Sequence, residues 1–430
     1  MNIKKDRAIL VGLELLKYNY KMEDSLNELE HLAAALNIVT VDKFIQRAEK
    51  VNPKFYIGSG KVLEIKKAIE VLNATIVIFD DPLSPAQISN LEKALDVQVI
   101  DRSFLILSIF AERAQTKQSM LEVSLAQKEY MLPRLVGLGK SLSRQGGGTY
   151  NAKGPGETKL EMDRRKLQNE IVAIRKELEK ISLEQDISRL RRKKNNIPVV
   201  ALVGYTNVGK SSLMNSISKK IGVDNNIVFE EDMLFATLDT KSKRMQKANY
   251  PPFILVDTVG FIKKLPHELI RSFESTLKDV IHADLLIIVA DGAYYNQNQI
   301  DSTLNVLERI GANDINKLFV LTKEEITVNP PMVDFDYIHV SNKTMTNIDT
   351  LINAIYGNLF LDSRVVNLEI NYQDSNILDY LKEISNNIGF SNNASTILNI
   401  KYIENGMHIK AVLSKDNIKK FNSYIINSSS

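Results

Sequence analysis

The chain has no cysteine among its 430 residues, which excludes disulfides and thiolate metal sites. A cysteine-free chain suits a reducing compartment, and a cytoplasmic location is expected. Long apolar runs are also missing. Ala8–Leu16 and Leu285–Ala290 both fall well short of the ~20 residues that a helical span requires, and the first contains Glu14. Neither a secretory leader nor a membrane span is therefore expected. A large net charge is missing too. The 55 Lys and Arg residues nearly balance the 52 Asp and Glu, leaving +3, so the protein as a whole is not a polycation. What is present is ordinary for a globular protein, with 44% hydrophobic and 25% charged residues, in a chain long enough for about three domains.

The chain is organised around Val199–Ser212. The apolar run Val199-Val200-Ala201-Leu202-Val203 leads into Gly204-Tyr205-Thr206-Asn207-Val208-Gly209-Lys210-Ser211-Ser212, and a helical pattern (Leu213, Met214, Ile217) follows. This is GxxxxGKS in the strand–loop–helix setting that a phosphate-binding loop needs. Glycines let backbone N–H groups curl around phosphates, and the positive end of the next helix faces the same anion. The spacing predicts that Lys210 reaches the β- and γ-phosphates and that the Ser211 hydroxyl ligates Mg²⁺.

Residues 1–103 alternate strand and helix signals, which predicts a small α/β domain with a parallel sheet. The strands expected are Arg7–Leu13, Ile38–Thr40, Thr75–Phe79 and Val97–Ile100; the helices are Ser25–Leu36, Gly60–Leu72 and Ser84–Leu95. Gly58-Ser59-Gly60-Lys61 lacks phosphate-loop spacing and reads as a turn before a helix. A helical hairpin is expected over 104–196. Its first helix runs over 103–135 and ends near Pro133, and its second carries a seam of Leu167, Ile171, Ile174, Leu178 and Ile181. The tip between them, Ser143–Glu157, contains Gly146-Gly147-Gly148 and Gly154-Pro155-Gly156 and cannot be regular structure. A G domain is expected over 197–362 and a small C-terminal α/β domain over 363–430. In that last domain a strand at Val366–Ile370 and a helix around Ile377–Ile384 come first. A hairpin around Glu404-Asn405-Gly406 and a closing helix at Ile418–Ile425 follow. The expected fold class is therefore multidomain α/β, with a mostly parallel G-domain sheet covered by helices on both faces.

Charge is unevenly spread. Residues 136–195 hold fifteen Lys and Arg against eight Asp and Glu, a net of +7, so the remainder carries −4. The clusters are Arg164-Arg165-Lys166 and Arg189–Lys194. A basic projection on a nearly neutral body suggests contact with RNA phosphates, through Arg144, Lys153, Arg164, Arg165 and Lys166; a solvated charged helix is the alternative.

Downstream of the phosphate loop, other parts of a GTPase occur in order. Phe235-Ala236-Thr237-Leu238-Asp239 offers Thr237 as the switch threonine that senses the γ-phosphate and Mg²⁺. Asp257-Thr258-Val259-Gly260 closes a strand as DxxG, with Asp257 near Mg²⁺ through water and the Gly260 N–H at the γ-phosphate. Lys210, Thr237 and Gly260 form the expected catalytic set. Thr322-Lys323-Glu324-Glu325 stands where GTPases usually carry Asn-Lys-x-Asp, whose Asp accepts from guanine N1–H and N2–H₂. Glu325 keeps the carboxylate with one more methylene, and the Thr322 hydroxyl can still tie this loop to the phosphate loop. Ser341-Asn342-Lys343 stands where a Ser-Ala-Lys base loop would be, contacting guanine O6 through a backbone N–H. Phe261 follows Gly260 where Ras-type proteins place a water-orienting Gln, so intrinsic turnover should be slow.

These motifs together resemble the HflX family. The resemblance is carried by Gly204–Ser211, Leu234–Asp239 and Asp257–Ile262 with Leu265-Pro266-His267. It is also carried by Gly154–Thr158 with Leu160-Glu161 and Asp163–Arg165, by Ile57–Lys61, by Leu83–Gln87 with Asn90–Glu92, and by Leu132–Leu135. It covers most of residues 1–310. The resemblance implies a ribosome-associated GTPase; with the motifs above, a cytoplasmic monomer that binds GTP and GDP with Mg²⁺ is expected. It further implies binding to the large ribosomal subunit and its RNA, ribosome splitting under stress, and a hairpin loop that approaches the peptidyl transferase centre. Three departures stand out: the Thr322–Glu325 base motif, the longer Thr149–Lys153 loop where relatives tend to have Ile-Gly-Thr-Arg, and Ser212 where Thr is usual. Phe261 and the altered base motif leave two other readings open: an assembly or hibernation factor with little turnover, or an ATP-using RNA remodeller.

Overall fold

The computed structural model describes residues 6–16, 22–143, 155–194, 197–222, 241–247, 250–262, 264, 274–360, 363–386 and 396–426. Two compact units emerge: Met1–Ile181 with Glu231–Asp239 and Lys263–Glu274, and Ser182–Glu230 with Thr240–Ile262 and Ser275–Ser430.

The first unit opens with β1 (Arg7–Leu15), α1 (Met22–Ala35), β2 (Val39–Ala48), α2 (Ser59–Leu72), β3 (Ile76–Phe79), α3 (Pro85–Leu95) and β4 (Gln98–Asp101). The strands form a parallel sheet in the order β2-β1-β3-β4. Parallel strands covered on both faces read as continuous apolar runs, and β3, Ile76-Val77-Ile78-Phe79, is buried throughout. Ile9, Val11, Val77, Phe79 and Val99 pack against Val62 and Ile65 of α2 and Leu91 of α3. Strand β2 continues to Ala48, well past the Thr40 expected, because it pairs with β1 along its whole length. Helix α3 starts on a reciprocal cap: the Ser84 hydroxyl accepts from the Gln87 N–H while the Gln87 side chain accepts from the Ser84 N–H.

The single helix expected over 103–135 is instead two, α4 (Arg102–Arg113) and α5 (Lys117–Ser143). The break has a local cause, since the Thr116 hydroxyl accepts from the Ser119 N–H at 3.2 Å and caps a new first turn. Nor does α5 stop at Pro133; the proline lies inside it. Proline lacks the N–H that the fourth residue back would accept. Beside it the Arg134 guanidinium donates to the Tyr130 carbonyl at 2.6 Å and lies 3.1 Å from the Tyr130 ring centroid. Helix α6 (Pro155–Lys194) returns along α5, joined to it by Lys128–Glu170 and Arg175–Glu129 pairs at 2.6 Å. Of the expected seam, Ile171 is buried and Leu167, Ile174, Leu178 and Ile181 are half-buried. The tip expected to be irregular is shorter than Ser143–Glu157. Ser143 closes α5 and residues 155–157 open α6, since proline is tolerated in a first helical turn, while residues 144–154 lie outside the described residues.

At the carboxyl ends of β3 and β4 sits a buried polar network. Asp80, fully buried, takes the Arg102 guanidinium at 2.7 Å and the Ser25 hydroxyl at 2.7 Å. Lys264, grouped with this unit, pairs with both Asp80 and Asp81. Asp101 accepts from the Tyr130 hydroxyl at 2.7 Å and pairs with Arg134 at 3.2 Å.

The second unit holds a six-stranded sheet in the order β10-β9-β8-β5-β7-β6. Its strands are β5 (Val199–Gly204), β6 (Lys241–Met245), β7 (Phe253–Asp257), β8 (Leu285–Asp291), β9 (Lys317–Thr322) and β10 (Tyr337–His339). All pair in parallel except β6, which is antiparallel to β7. The central β8 is buried over its full length. Helix α7 (Lys210–Ile221) follows β5, and Ile300 and Leu304 of the helix Gln297–Arg309 pack on Ala290 and Leu321. Strands β11 (Ser363–Asn371), β12 (Thr396–Ile403), β13 (Gly406–Ser414) and β14 (Ile425–Ile426) form an antiparallel sheet in the order β12-β13-β11-β14. The closing helix expected at Ile418–Ile425 is shorter, Lys415–Lys420. Phe421 turns into the core beside Leu381 and Met407, and the chain then pairs Ile425 with Leu368.

Candidate functional site

The motif residues of the second unit gather where the parallel strands end. This is the side on which open α/β sheets bind ligands. Strand β5 delivers Gly204 with φ 155°, and a Cβ there would lie 2.2 Å from the Val289 carbonyl, so only glycine fits against β8. The loop reaches Gly209 (φ 87°), which caps α7 with no side chain of its own. The N-terminus of α7, the positive end of the helix, thus opens on the loop with no side-chain cap from Gly209.

Lys210, the first residue of α7, is buried and donates to the carbonyls of Gly204 at 3.2 Å and Tyr205 at 2.8 Å. Burial pulls its pKa down to about 8, against the opposing pull of Asp257. The Ser211 hydroxyl donates to the Asp257 carboxylate at 2.6 Å. Thr258 is also fixed here, its hydroxyl donating to the Leu202 carbonyl at 2.6 Å. Beyond it the DxxG turn lies on the loop. The Phe261 N–H donates to the Gly204 carbonyl at 3.0 Å, and the Thr206 N–H donates to the Phe261 carbonyl at 2.9 Å. A Cβ on Gly260 would come within 2.8 Å of Thr206 Cα and 2.9 Å of Lys210 Nζ, so glycine is required there too. Phe261 itself is buried.

The two segments expected to read the base meet the same loop from the other side. The buried Thr322 hydroxyl donates to the Val208 carbonyl at 2.7 Å. Lys323 adopts φ 61° and pairs with Asp291 at 2.7 Å. Asp291 also accepts from the N–H groups of Ala293 and Tyr294, each at 3.0 Å. Glu324 and Glu325 begin a short 3-10 turn, with Glu325 exposed to solvent. Ser341 is buried and its hydroxyl accepts from the Thr344 N–H at 3.0 Å; Lys343 is exposed. The Asn342 amide donates to the Gly209 carbonyl at 3.3 Å.

Sequence reasoning missed two participants: Asp291 and the Asn342 side chain. Asp291 had a readable signal, an acid at the carboxyl end of a buried strand followed by glycine. Among the other expected site residues, Phe235, Ala236, Thr237, Leu238 and Asp239 lie outside the described residues, as do Arg144 and Lys153. Arg164, Arg165 and Lys166 are not part of this cluster. They are exposed on α6, where Arg165 pairs with Glu161 at 2.9 Å.

A glycine loop between strand and helix, its lysine, a serine–aspartate pair and a DxxG turn define a P-loop GTPase of the mostly parallel α/β class. Family models agree along the chain: "GTP-binding GTPase N-terminal" over residues 23–111, "GTP-binding GTPase Middle Region" over 113–192, and "50S ribosome-binding GTPase" over 199–323. GTPase HflX of Caldanaerobacter subterraneus subsp. tengcongensis is 40% identical over 426 residues, spanning 98% of this chain and 94% of that protein. GTPase HflX of Escherichia coli is 39% identical over 347 residues, 80% of this chain and 79% of that one. A GTP-binding protein from the archaeon Sulfolobus solfataricus, solved with GDP, is 25% identical over 82% of this chain and 98% of its own, with a TM-score of 0.41. The chain belongs to the HflX family of GTPases, and it is a GTP hydrolase.

Proposed function

We propose that this GTPase binds the large ribosomal subunit, is stimulated by it, and uses GTP to split or rescue stalled or idle ribosomes under stress. The observation that carries the reading is the exposed basic triplet Arg164-Arg165-Lys166 on α6, set just after the glycine-rich tip, on a chain whose family model is described as ribosome-binding. Arginine and lysine there would meet RNA phosphates, with Arg144 and Lys153 of the tip as further contacts. The protein would act as a cytoplasmic monomer.

In this reading Gly204–Ser212 cradles the phosphates and Lys210 leaves its two backbone carbonyls for the β- and γ-phosphates. Ser211 offers Mg²⁺ a hard oxygen, and Asp257, 2.6 Å from it, would hold the ion's shell through water. Bound Mg²⁺ would neutralise charge on the phosphate oxygens, with Thr237 completing its shell. Glu325 would read the base, and the Ser341–Lys343 backbone would meet the guanine oxygen.

A second reading has its own observation. Phe261 is buried against the phosphate loop and carries no group that could orient water, which favours a nucleotide switch with little turnover. Purified intact ribosomes separate the readings. With GTP and the wild-type protein, density-gradient profiles should show free subunits, and phosphate release should rise on adding ribosomes. Neutralising Arg164, Arg165 and Lys166 should weaken co-sedimentation and flatten its salt slope by up to about one unit per lost phosphate contact. Intact ribosomes with no rise in turnover would support the switch instead.

A further inference from the structure

We propose that Asn342 is a positioning residue of the base site, supplying from one base loop the carboxamide that the other has lost. Position 322, where GTPases usually carry asparagine, holds the shorter Thr322, whose one hydroxyl reaches one carbonyl of the phosphate loop, that of Val208, at 2.7 Å, and lies 3.3 Å from the Ala290 carbonyl of β8. Twenty residues on, Asn342 stands where a small alanine is usual. Its amide nitrogen lies 3.3 Å from the very next carbonyl, that of Gly209. The orientation is forced, because a carbonyl oxygen can receive only an N–H, so the amide oxygen must face away. Both side chains crowd the same point. A Cβ built on Gly209 would lie 3.3 Å from Asn342 Nδ2 and 3.7 Å from Thr322 Oγ1.

Two further observations separate Asn342 from a passive filler. Its own backbone carbonyl accepts from the Ser216 hydroxyl of α7 at 3.4 Å, so the segment that would meet guanine is fastened to the phosphate-binding helix at two points. Its Oδ1 is buried and makes no hydrogen bond among the described residues. A buried acceptor without a donor is costly, and nucleotide arriving with an N–H or an ordered water would relieve that cost. Thr322 and Asn342 thus divide between them what one longer side chain does from position 322. The distance between phosphate loop and base loop, and so the fit of a guanine nucleotide, depends on both.

This inference rests on the reading of 322–325 and 341–343 as base loops. Its test is the affinity of a fluorescent GDP derivative for wild type, N342A, T322N and the double variant T322N/N342A, with Mg²⁺ present, alongside thermal midpoints of the nucleotide-free proteins. Loss of one buried hydrogen bond predicts that N342A weakens binding about tenfold, chiefly through faster release. The double variant, which returns the carboxamide to position 322, should recover most of that loss. T322N alone should gain nothing, since two carboxamides then compete for the space beside Gly209. Binding by N342A within about twofold of wild type would overturn the proposal, as would a double variant no better than N342A. Should N342A not fold, the double variant decides alone: tight binding supports the exchange, and failure sinks it. A purely structural role would lower the thermal midpoint without changing release. The two readings fail separately. If K210A also binds GDP normally, the site itself is misassigned; if K210A loses binding while N342A does not, only the role of Asn342 falls.

Discussion

Thr322 and Val208, 114 residues apart, are joined by a 2.7 Å hydrogen bond from hydroxyl to carbonyl. It fastens the end of β9 to the phosphate loop. Thr322→Val keeps the shape and removes the donor, leaving a buried carbonyl unsatisfied at about 1–3 kcal/mol. GDP release should speed up by roughly five- to a hundredfold, while Thr322→Ser stays near wild type. Stopped-flow displacement of fluorescent GDP measures both, and equal rates for Val and Ser would show that this bond does not hold the loop.

Lys210 gives binding a distinctive pH dependence. Burial lowers its pKa to about 8 in the nucleotide-free protein, and phosphate charge must raise it on binding. Below about pH 8 the lysine is already charged; above it, binding must take up a proton. Affinity for GTP should therefore be flat near neutrality and fall by up to about tenfold per unit above pH 8. Stability of the free protein moves the other way between about pH 8 and the unfolded lysine value near 10.4, because there the unfolded chain holds the proton more tightly. Lys210→Ala should abolish triphosphate binding and remove both trends. Calorimetric titration in two buffers of different ionisation enthalpy reads the proton uptake directly.

Glu325 is exposed at the end of the segment expected to read the base. It should favour guanine, since adenine offers no matching N1–H and N2–H₂ pair. The longer side chain loses rotamer freedom, and a strained charge-assisted pair could lose about one to two decades of selectivity relative to Asp. Glu325→Asp should tighten GTP binding and leave ATP binding alone; Glu325→Ala should bring the two together. An unchanged GTP-to-ATP ratio in Glu325→Ala means that another group reads the base.

Lys264 is predicted to act on stability in acid. Burial alone pushes the Asp80 pKa up, but Arg102 and Lys264 outweigh it and hold the carboxyl below its ordinary value. A depressed carboxylate stabilises the fold above its unfolded pKa, near 3.9, and that contribution disappears as pH falls through the folded value. Lys264→Met should cost about 1–3 kcal/mol at neutral pH, since Asp80 keeps Arg102 and Ser25. Its acid unfolding midpoint should move to higher pH. A circular-dichroism acid titration superimposable on wild type would refute the assignment.

The phosphate loop could be read from sequence because its chemistry is contiguous: strand, glycines, lysine and helix fall within Val199–Ile217. Buried strands such as Ile76–Phe79 and Leu285–Asp291 were equally plain, since continuous apolar runs permit little else. The ends of elements were harder. Pro133 signals a stop, yet α5 runs past it, and Phe421 reads as helix until its burial among Leu381 and Met407 is seen. Side-chain ties between distant loops were legible only in part. Thr322 was expected to reach the phosphate loop because residue type and motif position suffice for that. Asn342 was read through its backbone alone, and nothing local links Lys264 to an aspartate 184 residues away.

The DxxG turn rests on the phosphate loop by two main-chain bonds, Phe261 N–H to Gly204 and Thr206 N–H to Phe261. Gly260 can move relative to Lys210 only if those bonds open or move with it. The amide hydrogens of Thr206 and Phe261 are therefore natural clocks for the turn. In heavy water they should exchange slowly while it is seated and quickly whenever it lifts. Their rates would follow the movement in the native protein with no label and no altered nucleotide.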